Sequence, residues 1–454
     1  MTNHRFNPAI LNNNVAARQP LLAILEAALA AVDPSAAVCA QMQRSGDSLR
    51  VAGKAYDLAA YRHIYVVGGG KAGAPMTQAV EALLADRVTG GLVVVKHGHG
   101  SATEKVEIVE ASHPVPDAAG VAAGERILAT AKAATAEDLV IAVISGGGSA
   151  LLEAPAGLFL ADIQATTSAL LASGATINEV NCLRKHLSAI KGGQLARAMQ
   201  PATLVALVLS DVVGSPLDVI ASGPTVPDST TWQDAWGVVE RYGLATTLPS
   251  PVIARLQAGL AGALQDTPKP GDPIFASVQT AIVGDNRVAA LAACQMATTQ
   301  GYNAQLLTTF LEGEAAAVAG FAVALGREVQ ASGHPVAAPA CIVFGGETTV
   351  TLGQQHGMGG RNQELALAAA LALAGATGIT VAALATDGSD GPTDSAGAIV
   401  DGATVARGRA QGLDAAAALR GHDAYPYLAA VGDLLVSGPT QTNVNDLVVV
   451  MVER

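Results

Sequence analysis

Residues 64–73, IYVVGGGKAG, decide the fold class, because a short apolar run ends in three glycines and a helical segment follows. The same order recurs at residues 139–150, LVIAVISGGGSA. Apolar runs that end in glycine and alternate with helical stretches are typical of a parallel sheet covered by helices on both faces. The sequence therefore predicts an α/β protein with a parallel sheet at its centre.

Two domains are expected from a chain of 454 residues, which is too long for a single hydrophobic core. Residues 249–273 contain several prolines and glycines, and the β/α alternation starts again after them. We predict domains at residues 1–255 and 256–454. In the second, residues 341–344 and 348–352 flank a Gly345-Gly346 turn, which predicts a hairpin and hence a mixed sheet.

Charge and composition exclude several classes of function. The formal net charge of -12 argues against binding to nucleic acid or to anionic membranes, although a local cluster of N–H groups and cations can still hold an anion. The first 20 residues contain no apolar signal core, and four widely spaced cysteines without a CxxC motif indicate buried thiols in a reducing compartment. These observations predict a cytoplasmic protein.

The first glycine loop contains Gly69, Gly70 and Lys71. Its GxGxxG pattern is a weak signal of dinucleotide binding, and the next strand ends in Lys96 rather than in the acid that would hold a ribose. A lysine among backbone N–H groups favours a phosphate or a carboxylate instead. The alternative is a tight turn with a solvated lysine.

The second glycine loop follows the apolar run that begins at residue 139. Three consecutive glycines allow the backbone to approach an anion, and the chain contains no Walker A motif. The alternative is a turn required only by packing. The candidate phosphate- or substrate-binding residues of this loop are Ser145, Gly146, Gly147, Gly148 and Ser149.

A third cluster, GMGGRNQE at residues 357–364, places Arg361 at the start of a helix. Its positive charge is unfavourable beside the positive end of the helix dipole, which indicates a bound anion. The alternative is a surface arginine.

Acidic residues follow two predicted strands. Asp211 comes after residues 204–209, and Asp387, Asp390 and Asp394 lie in TDGSDGPTD after residues 381–384. One or two carboxylates beside a phosphate site suit Mg²⁺, so we predict metal ligands among Asp211, Asp387 and Asp390. A turn rich in Asx caps is the alternative. His113, in a proline-rich loop, either lines a substrate pocket or is a structural or solvent-facing residue.

Eight motifs together resemble the glycerate 2-kinases of the MOFRL type, in order, from about residue 20 to 450. They are VVGGGKAGAPM, SHPVPDAAG, VISGGGSALL, INEVNCLRKHLSAIKGGQLA, LSDVVGSPLDVIASGPTVPD, GGETTV, GMGGRNQELAL and ATDGSDGPTDSAGAIVDG.

The resemblance implies a larger Rossmann-like N-terminal domain, a smaller α/β domain, and an active site in the cleft between them. It implies transfer of the γ-phosphoryl group of ATP to the 2-hydroxyl of D-glycerate with a divalent metal such as Mg²⁺. Lys71 and Arg361 match the family's key catalytic residues, and Asp211 would orient the hydroxyl or hold metal. Asn362 and Glu347, within the matched motifs, are further candidates for binding substrate or phosphate. The oligomeric state, including a homodimer, stays open.

Two other functions compete with this interpretation. The GxGxxG match and the names borne by some family members favour an NAD(P)H-dependent hydroxypyruvate reductase, but Lys71 and Lys96 argue against it. A non-catalytic protein that binds a sugar acid or a nucleotide would not need a lysine, an arginine and several acids at strand ends.

Overall fold

The computed structural model describes residues 5–7, 10 and 17–454, which form two compact units. The larger unit is Pro34–Val283, and the smaller unit combines Gly284–Arg454 with the described residues up to Asp33. Helix α1 (Arg18–Ala31) belongs to the smaller unit, where buried Arg18 pairs with Asp401 and Asp433. The boundary predicted after residue 255 therefore falls inside the larger unit.

The larger unit consists of alternating helices and strands preceded by a short three-stranded meander. Its helices are α2 (Pro34–Gln41), α3 (Gly73–Leu84), α4 (Ala118–Ala133), α5 (Gly148–Leu151), α6 (Leu160–Ala172), α7 (Ile177–Leu187), α8 (Gln194–Ala198), α9 (Trp232–Arg241) and α10 (Ser250–Leu260). Its strands are β1 (Met42–Ser45), β2 (Ser48–Val51), β3 (Lys54–Asp57), β4 (His63–Gly69), β5 (Val88–Lys96), β6 (Val106–Ala111), β7 (Asp138–Ser145), β8 (Thr203–Leu209) and β9 (Val278–Gly284).

The main sheet of the larger unit has the strand order β6-β5-β4-β7-β8-β9, and its pairings from β6 to β8 are all parallel. This confirms the predicted Rossmann-like sheet. The chain runs outward from β4 to β6, then returns to β7 on the other side of β4. Ligands of open α/β sheets bind where the strand order reverses in this way, outside the carboxyl ends of the strands. That point lies between β4 and β7.

The smaller unit contains, besides α1, a second α/β arrangement. Its helices are α11 (Asn286–Thr299), α12 (Ala315–Ser332), α13 (Arg361–Leu373), α14 (Thr404–Ala410), α15 (Ala415–Arg420) and α16 (Ala424–Ala430). Its strands are β10 (Asn303–Leu311), β11 (Ala340–Gly346), β12 (Ile379–Ala385), β13 (Gly397–Asp401), β14 (Leu434–Leu435) and β15 (Asp446–Val452).

The sheet of the smaller unit has the order β10-β11-β15-β12-β13-β14. Strands β10 and β11 are parallel, whereas β15 is antiparallel to both β11 and β12, so the predicted mixed sheet is confirmed. The predicted hairpin is wrong, because both edges of β11 are already paired and the chain leaves the sheet after Gly346. Thr349 forms an isolated bridge with Glu314 instead.

Two further findings concern the cysteines and the apolar helices. All four cysteines are free, but only Cys182 and Cys341 are buried as predicted, and Cys39 is exposed. Within residues 5–7, 10 and 17–454, no single helix is both long enough and apolar enough to cross a membrane.

Candidate functional site

The two glycine loops of the larger unit meet at the point where the strand order reverses. The backbone N–H of Lys71 donates to the carbonyl of Gly146 at 2.8 Å. The N–H of Ala72 donates to Ser145 Oγ at 3.0 Å. These two bonds join the start of α3 to the end of β7, so the loops form one structural feature.

Close packing of the backbone accounts for part of the glycine pattern. A Cβ on Gly68 would lie 1.9 Å from the carbonyl oxygen of Val143, and one on Gly70 would lie 2.2 Å from Ser145 Oγ. A Cβ on Gly69 would meet the side chain of Leu152 at 2.8 Å. Gly68 and Gly70 are thus required by the approach of β4 to β7, and Gly69 by the packing of Leu152. The binding roles predicted for Gly69 and Gly70 stay predictions.

Three predicted side chains surround the second loop. A Cβ added to Gly146 would lie 1.9 Å from Asp211 Oδ2. A Cβ added to Gly147 would lie 3.1 Å from the His113 ring and 3.4 Å from Lys71 Cγ. The structure therefore brings Lys71, His113 and Asp211 together, although they follow three different strands.

The electrostatic environment of this cluster favours an anion. Burial, followed by the charges of Lys71 and Lys96 and the nearby His99, lowers the pKa of His113 to about 4. His113 is therefore neutral at pH 7 and its ring can donate or accept a hydrogen bond without adding charge. Two lysines near a neutral imidazole and a glycine-rich backbone suit a phosphate or a carboxylate.

A hydrogen-bonded chain behind the second loop was not predicted. Ser149 Oγ lies 2.9 Å from Ser222 Oγ, which donates to Asn181 Oδ1 on α7 at 3.0 Å. Ser222 and its neighbour Ala221 have φ values of 60° and 50°, a left-handed conformation that costs non-glycine residues about 1–2 kcal/mol each. Strain of this kind often marks functional sites, and nothing in the local sequence signals it.

Two buried lysines hold the same region. Lys191 Nζ pairs with Glu153 at 2.6 Å and donates to the carbonyl of Leu152, directly after α5. Lys185, on α7, pairs with Asp218 and with Asp228, both at 3.2 Å. The local sequence gives no indication of these partners, because the acids are 33 to 43 residues away.

We expect Gly147→Val to impair binding of the anionic substrate more than it impairs stability. The backbone at Gly147 has φ 83°, so a β-branched residue is strained there, and its methyls would occupy the space beside Lys71 and His113. Gly174→Val is a matched control, because Gly174 has φ 78° and no atom within 4 Å of its added Cβ.

Thermal unfolding and steady-state kinetics separate the two effects. Both variants should lose a few degrees in melting temperature, but only Gly147→Val should raise the KM for the anionic substrate, by about tenfold or more. Equal kinetics for the two variants would show that Gly147 serves only packing.

Arg361, in the smaller unit, is held by two carboxylates. Its Nε and Nη2 contact the two oxygens of Asp446 at 2.6 and 3.0 Å, and Nη1 contacts Glu347 at 2.8 Å. Asp446 starts β15, Glu347 follows β11, and Arg361 starts α13. The three residues therefore meet where the end of β11 lies beside the start of β15. The anion predicted beside this arginine is therefore supplied, in the described structure, by the protein itself.

The pKa values of this ion pair reflect its burial. Burial opposes the charged guanidinium, but the hydrogen bonds with Asp446 outweigh it and raise the pKa of Arg361. Burial raises the pKa of Asp446 to about 6, against the opposing effect of Arg361. A nearly buried carboxylate thus depends on the arginine for its charge.

The other predicted acids differ in how far their oxygens are already used. Asp390 is buried and accepts bonds from the backbone N–H groups of Asn362 and Gln363 and from the Asn362 side chain. It therefore caps α13, the role that the Asx-cap alternative describes. Asp387 Oδ1 accepts from Ser389 N at 3.0 Å. Across the described part of the chain, no group of three or more His, Cys, Asp or Glu residues is placed to hold a metal ion.

A cavity of about 460 Å³ lies beside α13 in the smaller unit. Arg361, Glu364, Asp387, Asp390 and His422 line it, together with the glycines that precede the helix and the apolar side chains of Val350, Leu352 and Pro392. Its size is within the usual range for small-molecule sites, about 300–1,000 Å³. Sequence reasoning missed His422, whose Nδ1 lies 2.8 Å from Glu364 Oε2.

Two family models match successive parts of the chain. Residues 20–257 match a model described as a domain of unknown function, and residues 340–446 match the MOFRL family.

Related proteins match over nearly the whole chain. A glycerate 2-kinase of Pyrococcus horikoshii is 40% identical over 95% of this chain and 96% of its own length. A D-glycerate 2-kinase of Thermotoga maritima is 44% identical over 85% of this chain and 90% of its own length. A protein of Agrobacterium vitis, provisionally named a hydroxypyruvate reductase, is 44% identical over 97% of this chain and 95% of its own length.

Solved structures agree with these relationships. The crystal structure of a Thermotoga maritima glycerate kinase superposes with a TM-score of 0.85 at 39% identity, covering 96% of this chain and 100% of that one. A Pyrococcus horikoshii protein superposes with a TM-score of 0.88, also at 39% identity, over 97% and 99% of the two chains.

Proposed function

The chain belongs to the MOFRL-type glycerate 2-kinase family, and we propose that it transfers the γ-phosphoryl group of ATP to the 2-hydroxyl of D-glycerate. The products are 2-phosphoglycerate and ADP. The observation that carries this proposal is the cluster of Lys71, His113 and Asp211 around Gly146 and Gly147. It combines groups that hold an anion with a carboxylate that can act on a hydroxyl.

Phosphoryl transfer requires little covalent chemistry from the protein. A bond forms between the glycerate 2-oxygen and the γ-phosphorus, while the bond from that phosphorus to the β,γ-bridging oxygen breaks, and the hydroxyl proton passes to solvent, directly or through the Asp211 carboxylate. The protein must align these atoms and stabilise the charge that spreads over the γ-phosphoryl oxygens. We assign the charge stabilisation to Lys71, with backbone N–H groups of the second loop.

Asp211 and His113 would act on the acceptor. A carboxylate placed against Gly146 can accept the hydrogen bond of the reacting hydroxyl and orient its oxygen. Because burial and the neighbouring cations keep His113 neutral, its ring can hydrogen-bond to glycerate without protonation at working pH. The magnesium ion would arrive with ATP as part of the substrate, held mainly by phosphate oxygens, as Mg²⁺ commonly is.

Incubation with ATP, Mg²⁺ and D-glycerate, with ADP release as the readout, tests the proposal. NADH with hydroxypyruvate is the second arm, because a relative bears a reductase name. Turnover in the first arm and none in the second is the expected result. NADH oxidation without ADP release would reject the kinase assignment. We also propose a cytoplasmic location, which the four free thiols support.

Asp211→Asn should lower kcat by about 10²- to 10⁴-fold, the usual contribution of a general base or an orienting carboxylate. Titration with Mg²⁺ separates the two roles left open for this residue. An unchanged magnesium requirement in the residual activity indicates hydroxyl positioning, and a raised requirement indicates a metal ligand. Asp47→Asn, an exposed acid in the same unit, is the control for the charge change. Normal kcat in Asp211→Asn would exclude the residue from the reaction.

A further inference from the structure

The cavity beside α13 is much larger than the proposed acceptor requires. A three-carbon acid would occupy a small part of about 460 Å³, whereas a nucleoside is of the drug-like size that such cavities enclose. Size alone therefore favours the nucleotide over glycerate as the ligand of this cavity.

The charges of the lining residues also indicate which ligand the cavity can bind. Three carboxylates line the cavity, those of Glu364, Asp387 and Asp390. Arg361 is the one lysine or arginine among the described lining residues, and its guanidinium is already paired with Asp446 and Glu347. Such a wall repels a carboxylate or a bare phosphate and attracts neutral groups that donate hydrogen bonds.

Not all of these acceptors are available to a ligand. The oxygens of Asp390 are engaged by the start of α13, and Glu364 contacts His422. Asp387 uses Oδ1 for Ser389 N, while its Oδ2 has no partner among the described residues. Asp387 is therefore the carboxylate with capacity for the hydroxyls of a ribose.

Part of the wall is apolar and would suit a flat ring. Val350, Leu352 and Pro392 form this part, and Leu352 is 52% exposed. His356, Ser389 and His422 contribute polar groups to the same cavity. His422, a polar residue of the same cavity, has a left-handed backbone conformation with φ 50°. Strained conformations of this kind are found at ligand sites.

We propose that this cavity binds the adenosine part of ATP, with the base against Leu352 and Pro392 and a ribose hydroxyl donating to Asp387. The inference rests on the proposed kinase activity for the identity of the nucleotide. It assigns Asp387 to the ribose in place of the metal role predicted from the sequence.

Calorimetric titration of the full chain with adenosine and with ADP, both in EDTA, tests the site without turnover. Ser389→Trp fills the cavity from an exposed position, and Ser332→Trp, exposed at the end of α12, is the matched control. We expect adenosine and ADP to bind at least tenfold more weakly to Ser389→Trp and normally to the control. D-Glycerate binding should be unchanged in both.

Asp387→Ala distinguishes ribose from metal. Loss of a hydrogen bond to a charged group typically weakens binding by about tenfold or more, so adenosine affinity should fall even in EDTA. Unchanged adenosine affinity in Asp387→Ala or in Ser389→Trp, or no adenosine binding by the unmodified chain, would overturn the proposal. Kinase turnover of the unmodified chain at saturating ATP is scored separately, so a failure of this site is distinguishable from a failure of the proposed function.

Discussion

Lys71→Met is expected to abolish nearly all phosphoryl transfer, lowering kcat by about 10³-fold or more, while the protein stays folded. Lys71 Cγ lies close to the position that a Cβ on Gly147 would occupy, and the loop backbone is fixed by bonds to Gly146 and Ser145. Removing a cation aimed at developing negative charge in a partly dehydrated site costs several powers of ten in rate.

Stability should change little, because the loop is held by its backbone rather than by the lysine side chain. No hydrogen bond or ion pair of Lys71 Nζ is present among the described residues, so methionine leaves no buried partner behind. Lys132→Met, on the exposed face of α4, removes the same charge and should behave as the unmodified protein. Kinetics with a thermal melt check both points, and a Lys71→Met variant with near-normal kcat would refute the assignment.

The sequence predicts the strands that form the centre of each sheet because their residues are almost all apolar. Strands β7 and β8 read as continuous buried runs, and the glycine loops at their ends are visible as motifs. Strand β6, VEIVEA at the sheet edge, is half exposed and alternates with acids, so it lacks that signal. The meander of β1 to β3 is likewise too short and too polar to stand out.

Partners that are distant in sequence could not be predicted. Strand β15 inserts between β11 and β12, and this insertion places Asp446 beside Arg361, 85 residues away. A helix-start arginine indicated an anion, but sequence alone does not distinguish a ligand from the protein's own carboxylate. The same limit applies to Ser222 and Asn181, whose hydrogen bond depends on the path of the loop after β8. The sequence identifies the candidate side chains, whereas the partners of those side chains depend on the order of the strands.

Replacing the guanidinium of Arg361 with the single ammonium group of lysine tests the role of this residue. The test distinguishes an action on the substrate from a purely structural role in the smaller unit. Arg361→Lys keeps the positive charge but can reach only one of the three carboxylate oxygens that the guanidinium now contacts. The expected result is a fall in kcat of about 10³-fold, with a smaller change in ATP affinity, because an arginine that stabilises the transition state contributes little to ground-state binding.

The contribution of the Arg361–Asp446 ion pair to stability can be measured separately, because it depends on pH. Burial already raises the pKa of Asp446 to about 6, and a poorer partner should raise it further. A carboxyl with a raised pKa in the folded state costs stability as the pH rises through that pKa, and this cost disappears below the unfolded value. The stability difference between Arg361→Lys and the unmodified protein should therefore shrink as the pH falls from 8 to 5.

Glu347→Gln completes the test. It removes the charge of the more exposed partner of Arg361 and leaves the ion pair between Arg361 and Asp446 intact. If the arginine acts on the reaction, this variant keeps most of its activity while Arg361→Lys does not, even at pH 5, where the folding defect is smallest. If Arg361 is purely structural, the activity of Arg361→Lys per folded molecule will match that of the unmodified protein across the pH range. A lysine variant with normal kcat would therefore remove Arg361 from the catalytic residues and leave it as the counter-ion of Asp446.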